Sequence, residues 1–275
     1  MNRVRILSYV ADAPPRPKVD SVASEEPLEI RVDSRPIAVV MRTPGHDEEL
    51  AVGFLVSEGL VRRLSDIRVV KPNTRNRAGN SVDVLLAPDV KVDFQQLTRH
   101  VFASSSCGLC GATSIRSLRR QFPRLTDPPP IRADQLLRLP SKLQSAQDEF
   151  SCTGGLHAAA WFQPDQGILT VREDIGRHNA VDKLLGRALL NRMIPLSTYG
   201  LLVSGRVSFE IVQKALAGGI ALIAALSAPS SLAVQFARAN QQTLVGFLRD
   251  GRFNVYAGHL APGGPIKAGD QPDET

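Results

Sequence analysis

From residue 157 onward, short apolar runs alternate with stretches of helical spacing, and this alternation limits the possible folds more than any other feature of the chain. Residues 158–162 and 168–171 read as paired strands joined by a turn at Pro164-Asp165-Gln166-Gly167. Ala180, Val181, Leu184, Leu185, Ala188 and Leu189 then recur at the spacing of one helix face. Leu201-Leu202-Val203 reads as a buried strand, residues 209–216 as a helix, 220–226 as a strand and 231–240 as a helix. Residues 244–248 and 253–256 flank Arg249-Asp250-Gly251-Arg252, a hairpin with a glycine-bearing turn. Strands alternating with helices predict a layered α/β domain with a largely parallel or mixed sheet.

Upstream the pattern differs. Leu28-Glu29-Ile30-Arg31-Val32 alternates apolar and polar residues as a half-buried strand does, and residues 37–41 form a second apolar run after a turn at Asp33-Ser34-Arg35-Pro36. Thr43-Pro44-Gly45-His46-Asp47-Glu48-Glu49 opens a helix whose first turn carries the acids that the helix dipole favours. Residues 67–70 and 82–86 read as further strands, and a helix is expected around Ile115 and Leu118. Asp127-Pro128-Pro129-Pro130 is a linker, followed by a helical stretch over 135–150. The expected organisation is therefore an α+β N-terminal domain over 25–127 and a layered α/β domain over 128–260. Pro14, Pro15 and Pro17 mark residues 1–24 as a disordered leader, and the Gly-, Pro- and Asp-rich residues 261–275 as a disordered tail.

The chain is long enough, at 275 residues, to bury a substantial core, and its 43% hydrophobic and 22% charged residues are ordinary for a globular protein. The first ten residues contain no apolar signal-like run, and the longest apolar stretch, 215–226, is too short to span a bilayer. With free thiols and no export signal, the expected location is the cytoplasm, with no membrane association. A net charge of +6 favours an anionic partner. Dispersed Arg and Lys residues with only 5% aromatics argue against nucleic acid, which is bound by clustered cations and stacking rings.

Cys107 and Cys110 stand in Ser104-Ser105-Ser106-Cys107-Gly108-Leu109-Cys110-Gly111, small residues that cannot build a core. Cys152 is the only other cysteine. Three readings of the pair are open. A structural zinc site needs four ligands, and no second Cys-x-x-Cys exists. A redox dithiol should follow a strand, which residues 94–102 do not supply. A carrier of sulfane sulfur needs a thiolate to take the sulfur and a neighbouring thiol to assist, on a loop able to reach both donor and acceptor.

Three turns join an apolar run to a helix with small or charged residues: Arg172-Glu173-Asp174-Ile175-Gly176-Arg177-His178-Asn179, Val203-Ser204-Gly205-Arg206-Val207-Ser208 and Ser227-Ala228-Pro229-Ser230-Ser231. Helix starts present free backbone N–H groups, so three such turns in one domain predict a shared anion pocket. No Gly-x-Gly-x-x-Gly or P-loop motif is present. Thr153-Gly154-Gly155-Leu156-His157 adds a tight turn and a His before a strand; by itself it also reads as a structural turn.

These segments, together with Arg42-Thr43-Pro44-Gly45, Gly53-Phe54-Leu55-Val56-Ser57-Glu58-Gly59 and Ala180-Val181-Asp182-Lys183, resemble in order and combination the FdhD family, the formate dehydrogenase accessory sulfurtransferases, over residues 30–256. The resemblance implies a persulfide taken from a cysteine desulfurase on the Cys-x-x-Cys loop, with Cys107 as carrier and Cys110 as partner. It implies delivery to the bis-molybdopterin guanine dinucleotide cofactor of formate dehydrogenase, bound as substrate, for which a guanine nucleotide would be a surrogate. Phe247, Leu248, Arg249, Asp250, Gly251 and Arg252 correspond to the family's cofactor-binding segment. The guanine ends would sit at the strand-end turns, with Thr153, Gly154, Gly155, His157, Asp174, Arg177, His178, Asn179, Ser204, Arg206 and Ser227 as candidate contacts. A homodimer and a cytidine-deaminase-like C-terminal domain are also implied. Zinc deaminase chemistry is not expected, because His157-Ala158-Ala159 lacks the Glu of His-x-Glu and no Cys follows Cys152. The alternative is a non-catalytic molybdenum-cofactor chaperone whose thiols only grip the metal centre.

Overall fold

The computed structural model describes residues 1–73, 79–92, 94, 122, 125 and 127–262. Cys107, Cys110, the expected helix around Ile115 and Leu118, and residues 263–275 of the expected tail lie outside the described residues. The architecture is α/β, as expected, built on a six-stranded and a four-stranded sheet.

β3 (Glu26–Val32) and β4 (Arg35–Arg42) form an antiparallel hairpin. Its turn residues, Asp33 and Ser34, both have positive φ (46° and 64°), as right-twisted two-residue hairpins require. Asp83 fixes this turn by accepting hydrogen bonds from the Ser34 N–H at 3.0 Å and hydroxyl at 3.1 Å. β5 (Ile67–Pro72) and β6 (Ser81–Leu86) complete the smaller sheet in the order β4-β3-β6-β5, with β3 and β6 parallel. α1 (Asp47–Ser57) starts with three acids, and every residue from Leu50 to Ser57 is buried. A helix buried all round must lie between two layers. Here the layers are the small sheet and α5 (Arg177–Leu190).

Gly53 and Gly186 make that helix pair possible. A Cβ on Gly53 would lie 1.7 Å from the Asp182 carbonyl oxygen, and one on Gly186 would lie 1.8 Å from that of Glu49. The two backbones are in direct contact, an approach that any side chain would prevent.

The larger sheet contains β7 (His157–Gln163), β8 (Gly167–Asp174), β9 (Gly200–Val203), β10 (Leu222–Ala225), β11 (Thr243–Arg249) and β12 (Arg252–Ala257). Their order is β12-β11-β10-β9-β7-β8. β9, β10 and β11 run parallel, whereas β7 runs antiparallel to β9 and to β8. α5, α6 (Phe209–Ala217) and α7 (Ser231–Ala239) supply the connections, as the alternation in the sequence predicts. One face of this sheet shares a continuous core with α1, α5 and the small sheet; Leu28, Leu50, Leu184 and Leu201 all belong to it. Packing therefore continues across the 127/128 boundary drawn from the linker. The other face packs Ala160, Leu202 and Val245 against Ile131, Leu136, Leu139 and Leu143.

Two expectations need correction. Residues 135–150 do not form one helix. They contribute to α2 (Ala133–Leu137), α3 (Leu139–Ser145) and α4 (Asp148–Thr153). Pro140 sits in the first turn of α3, where its missing N–H is tolerated; inside a continuous helix it would break the ladder. The leader is also not structureless: β1 (Asn2–Val10) and β2 (Ala13–Val22) form an antiparallel hairpin. Pro14 and Pro15 fall in the bulge where the register passes from Ser8↔Arg16 to Val10↔Ala13, and among the described residues β2 pairs only with β1, so its other edge needs no donors. Among the described residues, no helix is long and apolar enough to cross a membrane.

Candidate functional site

The pairing senses gather the candidate residues at one end of the large sheet. The parallel strands β9, β10 and β11 finish there, and the antiparallel run of β7 brings its start, His157, to the same end. β8 finishes beside it, with Asp174 paired to His157. The turns at 153–157, 174–179, 204–208, 227–231 and 247–252 therefore share the carboxyl edge of the sheet, where open α/β folds take their ligands.

Each turn is hydrogen-bonded to a neighbour. Ser204 Oγ accepts from the Ala158 N–H at 2.8 Å, while the Ser204 N–H donates to the Ala158 carbonyl at 2.9 Å. The Val207 N–H donates to the Ala228 carbonyl, and the Ser230 N–H donates to that of Val207. The Phe247 N–H reaches the Ser227 carbonyl at 3.1 Å. Gly205 lets side chains converge: a Cβ there would lie 3.2 Å from His157 Nδ1 and 3.5 Å from Arg177 Cβ.

Among the described residues, the cations at this end outnumber their partners. Among the described residues, Arg177 Nε is buried without a hydrogen-bond partner, and neither Arg177 nor Arg206 forms an ion pair. His178 Nε2 lies 2.9 Å from Glu210 Oε2 and 3.2 Å from Ser208 Oγ. The hydrogen bond from His178 holds the Glu210 carboxyl below the usual carboxylate range. Burial lowers the pKa of His157, and the charges of Arg177, His178 and Arg206 lower it further, against a weaker opposing pull from Asp174. α5 and α6 begin at Gly176 and Ser208 with no side-chain cap on their first N–H groups. The combination of unpaired guanidiniums, helix starts and a neutral imidazole provides donors for a phosphate-bearing ligand.

Asp174 and Asn179 are placed at the site but are engaged in holding it together. Asp174 is fully buried, and its Oδ2 accepts from Lys183 Nζ at 2.7 Å and the Thr43 N–H at 3.2 Å. Its Oδ1 takes the Gly176 N–H at 2.8 Å and Asn179 Nδ2 at 2.9 Å. Asn179 Nδ2 also donates to the Met41 carbonyl, and Lys183 Nζ donates to that of Thr43. The Thr43-Pro44-Gly45 segment is thereby fastened to the turn that presents Arg177 and His178. Lys183, Ser208 and Glu210 were not among the candidate residues. The available signal for Lys183 was a charge among the apolar positions of α5, between Ala180 and Leu184.

Thr153, Gly154 and Gly155 close α4, with Gly154 as its left-handed C-cap (φ 65°). Glu173 accepts from the Glu149 and Phe150 N–H groups and so fixes the start of the same helix. Phe247, Leu248, Arg249, Asp250, Gly251 and Arg252 form the β11–β12 hairpin end, with Gly251 left-handed at φ 80°. Cys107 and Cys110 fall outside the described residues; Cys152, on α4, is exposed.

Fold and site together define an α/β protein with a cationic sheet end. The FdhD/NarQ family model matches residues 23–261. The chain is 48% identical over 263 residues to a protein of Streptomyces coelicolor named sulfur carrier protein FdhD, covering 92% of this chain and 93% of that one. It is 49% identical over 247 residues to the protein of that name from Mycobacterium tuberculosis, covering 86% and 90%. A crystal structure from Desulfotalea psychrophila, described as a candidate formate dehydrogenase accessory protein, superposes with a TM-score of 0.73 at 23% identity, over 93% of this chain and 97% of that one. This chain belongs to the FdhD/NarQ family.

Proposed function

We propose that this protein carries sulfur for a formate dehydrogenase. It accepts persulfide sulfur on Cys107 and passes it to a bis-molybdopterin guanine dinucleotide cofactor, bound as substrate at the carboxyl edge of the large sheet. The support is the cationic, partner-poor edge formed by Arg177, Arg206 and His157, in a chain whose relatives are named sulfur carriers. The several phosphates of such a cofactor match those donors.

The sulfur chemistry balances as follows. The Cys107 thiolate attacks the terminal sulfur of a persulfide on a cysteine desulfurase; a new S–S bond forms and the donor's cysteine leaves as a thiolate. Cys110 then attacks Cys107 Sγ, making a Cys107–Cys110 disulfide and expelling the terminal sulfur as hydrosulfide, the form a metal takes as a sulfido ligand. The two electrons come from the dithiol, and a cellular thiol reductant restores it. The working unit is a cytoplasmic homodimer in this reading.

Mass spectrometry after incubation with a cysteine desulfurase and cysteine tests the carrier step. The expected result is a dithiothreitol-reversible, sulfur-sized increase on the peptide containing Cys107 and Cys110. It should be absent in Cys107→Ala, which still binds guanine nucleotide. No increase with an active desulfurase and reduced thiols would favour a chaperone that binds the cofactor without carrying sulfur.

A further inference from the structure

α5 ends in a cap whose key position holds an unexpected residue. The Arg192 N–H donates to the Leu189 carbonyl at 3.0 Å and the Met193 N–H to that of Ala188 at 2.8 Å, the paired bonds of a Schellman motif. Glycine commonly takes the left-handed residue of this motif, but here it is Arg192, at φ 58°. An L side chain in that region crowds its own backbone, so glycine would close the helix at lower cost.

The arginine faces a cavity of about 740 Å³ between the end of α5 and the start of β5. Leu189 is buried and Leu64, Ile67 and Ile194 are half-buried, which gives the cavity an aliphatic floor. Arg63, Arg68 and Arg192 line it as well, and all three are exposed. Arg63 Nε is held by Asp66 at 2.9 Å, whereas among the described residues Arg68 and Arg192 pair with no carboxylate. A cation beyond a helix C-terminus complements the helix dipole. That role explains neither Arg68, which lies on β5, nor the aliphatic floor between the two arginines.

The cavity is poorly made for phosphate. The helix end beside it is a C-terminus, which presents carbonyls, and the Arg62 and Arg63 N–H groups are taken by Asp66 Oδ2 at 2.8 and 3.1 Å. Guanidiniums spread around an apolar floor suit carboxylates that flank an apolar side chain. We propose that this cavity is a docking socket for an acidic segment of a partner protein, which seats an apolar side chain on the floor and sets carboxylates against Arg68, Arg192 and Arg63. The fourteen residues of α5 separate it from Arg177 by about 21 Å, so a docked partner leaves the carboxyl edge of the large sheet open.

The test presents the full chain, and its Arg192→Gly and Arg68→Glu variants, to an array of synthetic peptides. Each carries a central Leu, Ile or Phe flanked by Asp and Glu; matched peptides carry Ala at the centre or Lys at the flanks. The unmodified chain should capture the acidic, apolar-centred peptides and neither matched set, with capture weakening as salt rises. Arg192→Gly should weaken capture about threefold or more, as the loss of one exposed ion pair predicts. Arg68→Glu should weaken it further, because it puts a repulsive charge at the rim. The melting temperature of Arg192→Gly should hold or rise, because glycine relaxes the cap, so weaker capture is not a loss of fold.

Capture of no acidic peptide would overturn the proposal. So would equal capture of the Ala-centred peptides, which would leave only the net charge of the chain at work. Unchanged capture by both variants would do the same and leave Arg192 as a helix-capping cation. Preferential capture of a peptide of residues 262–275, which contains Asp270, Asp273 and Glu274, would give the cavity to this chain's own acidic end or to that of a second copy, in place of a partner.

Discussion

His157 shows how the surroundings of one residue set its chemistry. Its ring is half-buried beside Gly205, faced by Arg177 and His178 at the start of α5, by Arg206 after β9 and by Asp174 at the end of β8. Burial and the surrounding positive charge keep it neutral below the pH at which a free imidazole would protonate. A phosphate bound among these groups would reverse that preference, so binding should take up a proton. Affinity for GDP is therefore expected to rise severalfold as pH falls from 7.5 to 6.0, and His157→Asn should lose that part of the slope; identical slopes in both proteins would rule out this linkage. The same depression has an opposite effect on the empty protein. Stability that is fully present above about pH 6.5 is lost as pH falls through the lowered pKa, because the unfolded chain then binds the proton more readily. At this scale the sequence revealed residue types but not their assignments. Asp174, Arg177 and Asn179 read alike as polar residues at a strand end. Only the fold divides them, because the partners that engage Asp174, Thr43 and Lys183, lie 131 and 9 positions away.

The elements were most legible where local pattern and tertiary demand agree. The strands at 28–32 and 201–203 and the helix through Leu184 and Leu185 are of this kind. Legibility failed where proline was read without its context. Pro140 ended a helix and began another, and Pro14, Pro15 and Pro17 proved compatible with a two-stranded hairpin. The convergence of five turns could not be read from local pattern at all, because it follows from β7 running antiparallel to β9, a pairing across some forty residues. The contact of α1 with α5 is the element-level feature most open to test. Gly53→Ala or Gly186→Ala places a methyl group inside a facing carbonyl and must push the helices apart. Each is expected to cost about 3 kcal/mol or more, at the upper end of the overpacking range, measured as a lowered urea midpoint. A change below about 0.5 kcal/mol, the level of an ordinary surface substitution, would mean that the helices do not approach as closely as described.

For the whole molecule, the continuous core outweighs the proline-rich linker. Leu50, Leu55, Leu184 and Leu185 belong to the same buried cluster as Leu28 of the small sheet and Leu201 of the large one. The two sheets should therefore melt together. Calorimetry is expected to give a single transition whose calorimetric and van't Hoff enthalpies agree; two resolved transitions would show that the small sheet and α1 fold independently. In evolutionary terms the two glycines at the α1–α5 crossing behave as one heritable character. A side chain gained at position 53 meets the backbone at 182 and 186, and one gained at 186 meets the backbone at 49 and 53. Neither position can drift alone, and enlarging both would separate the sheets whose shared core the crossing closes. The short stretches around these two residues thus form a single constraint written twice in the chain, more than a hundred positions apart.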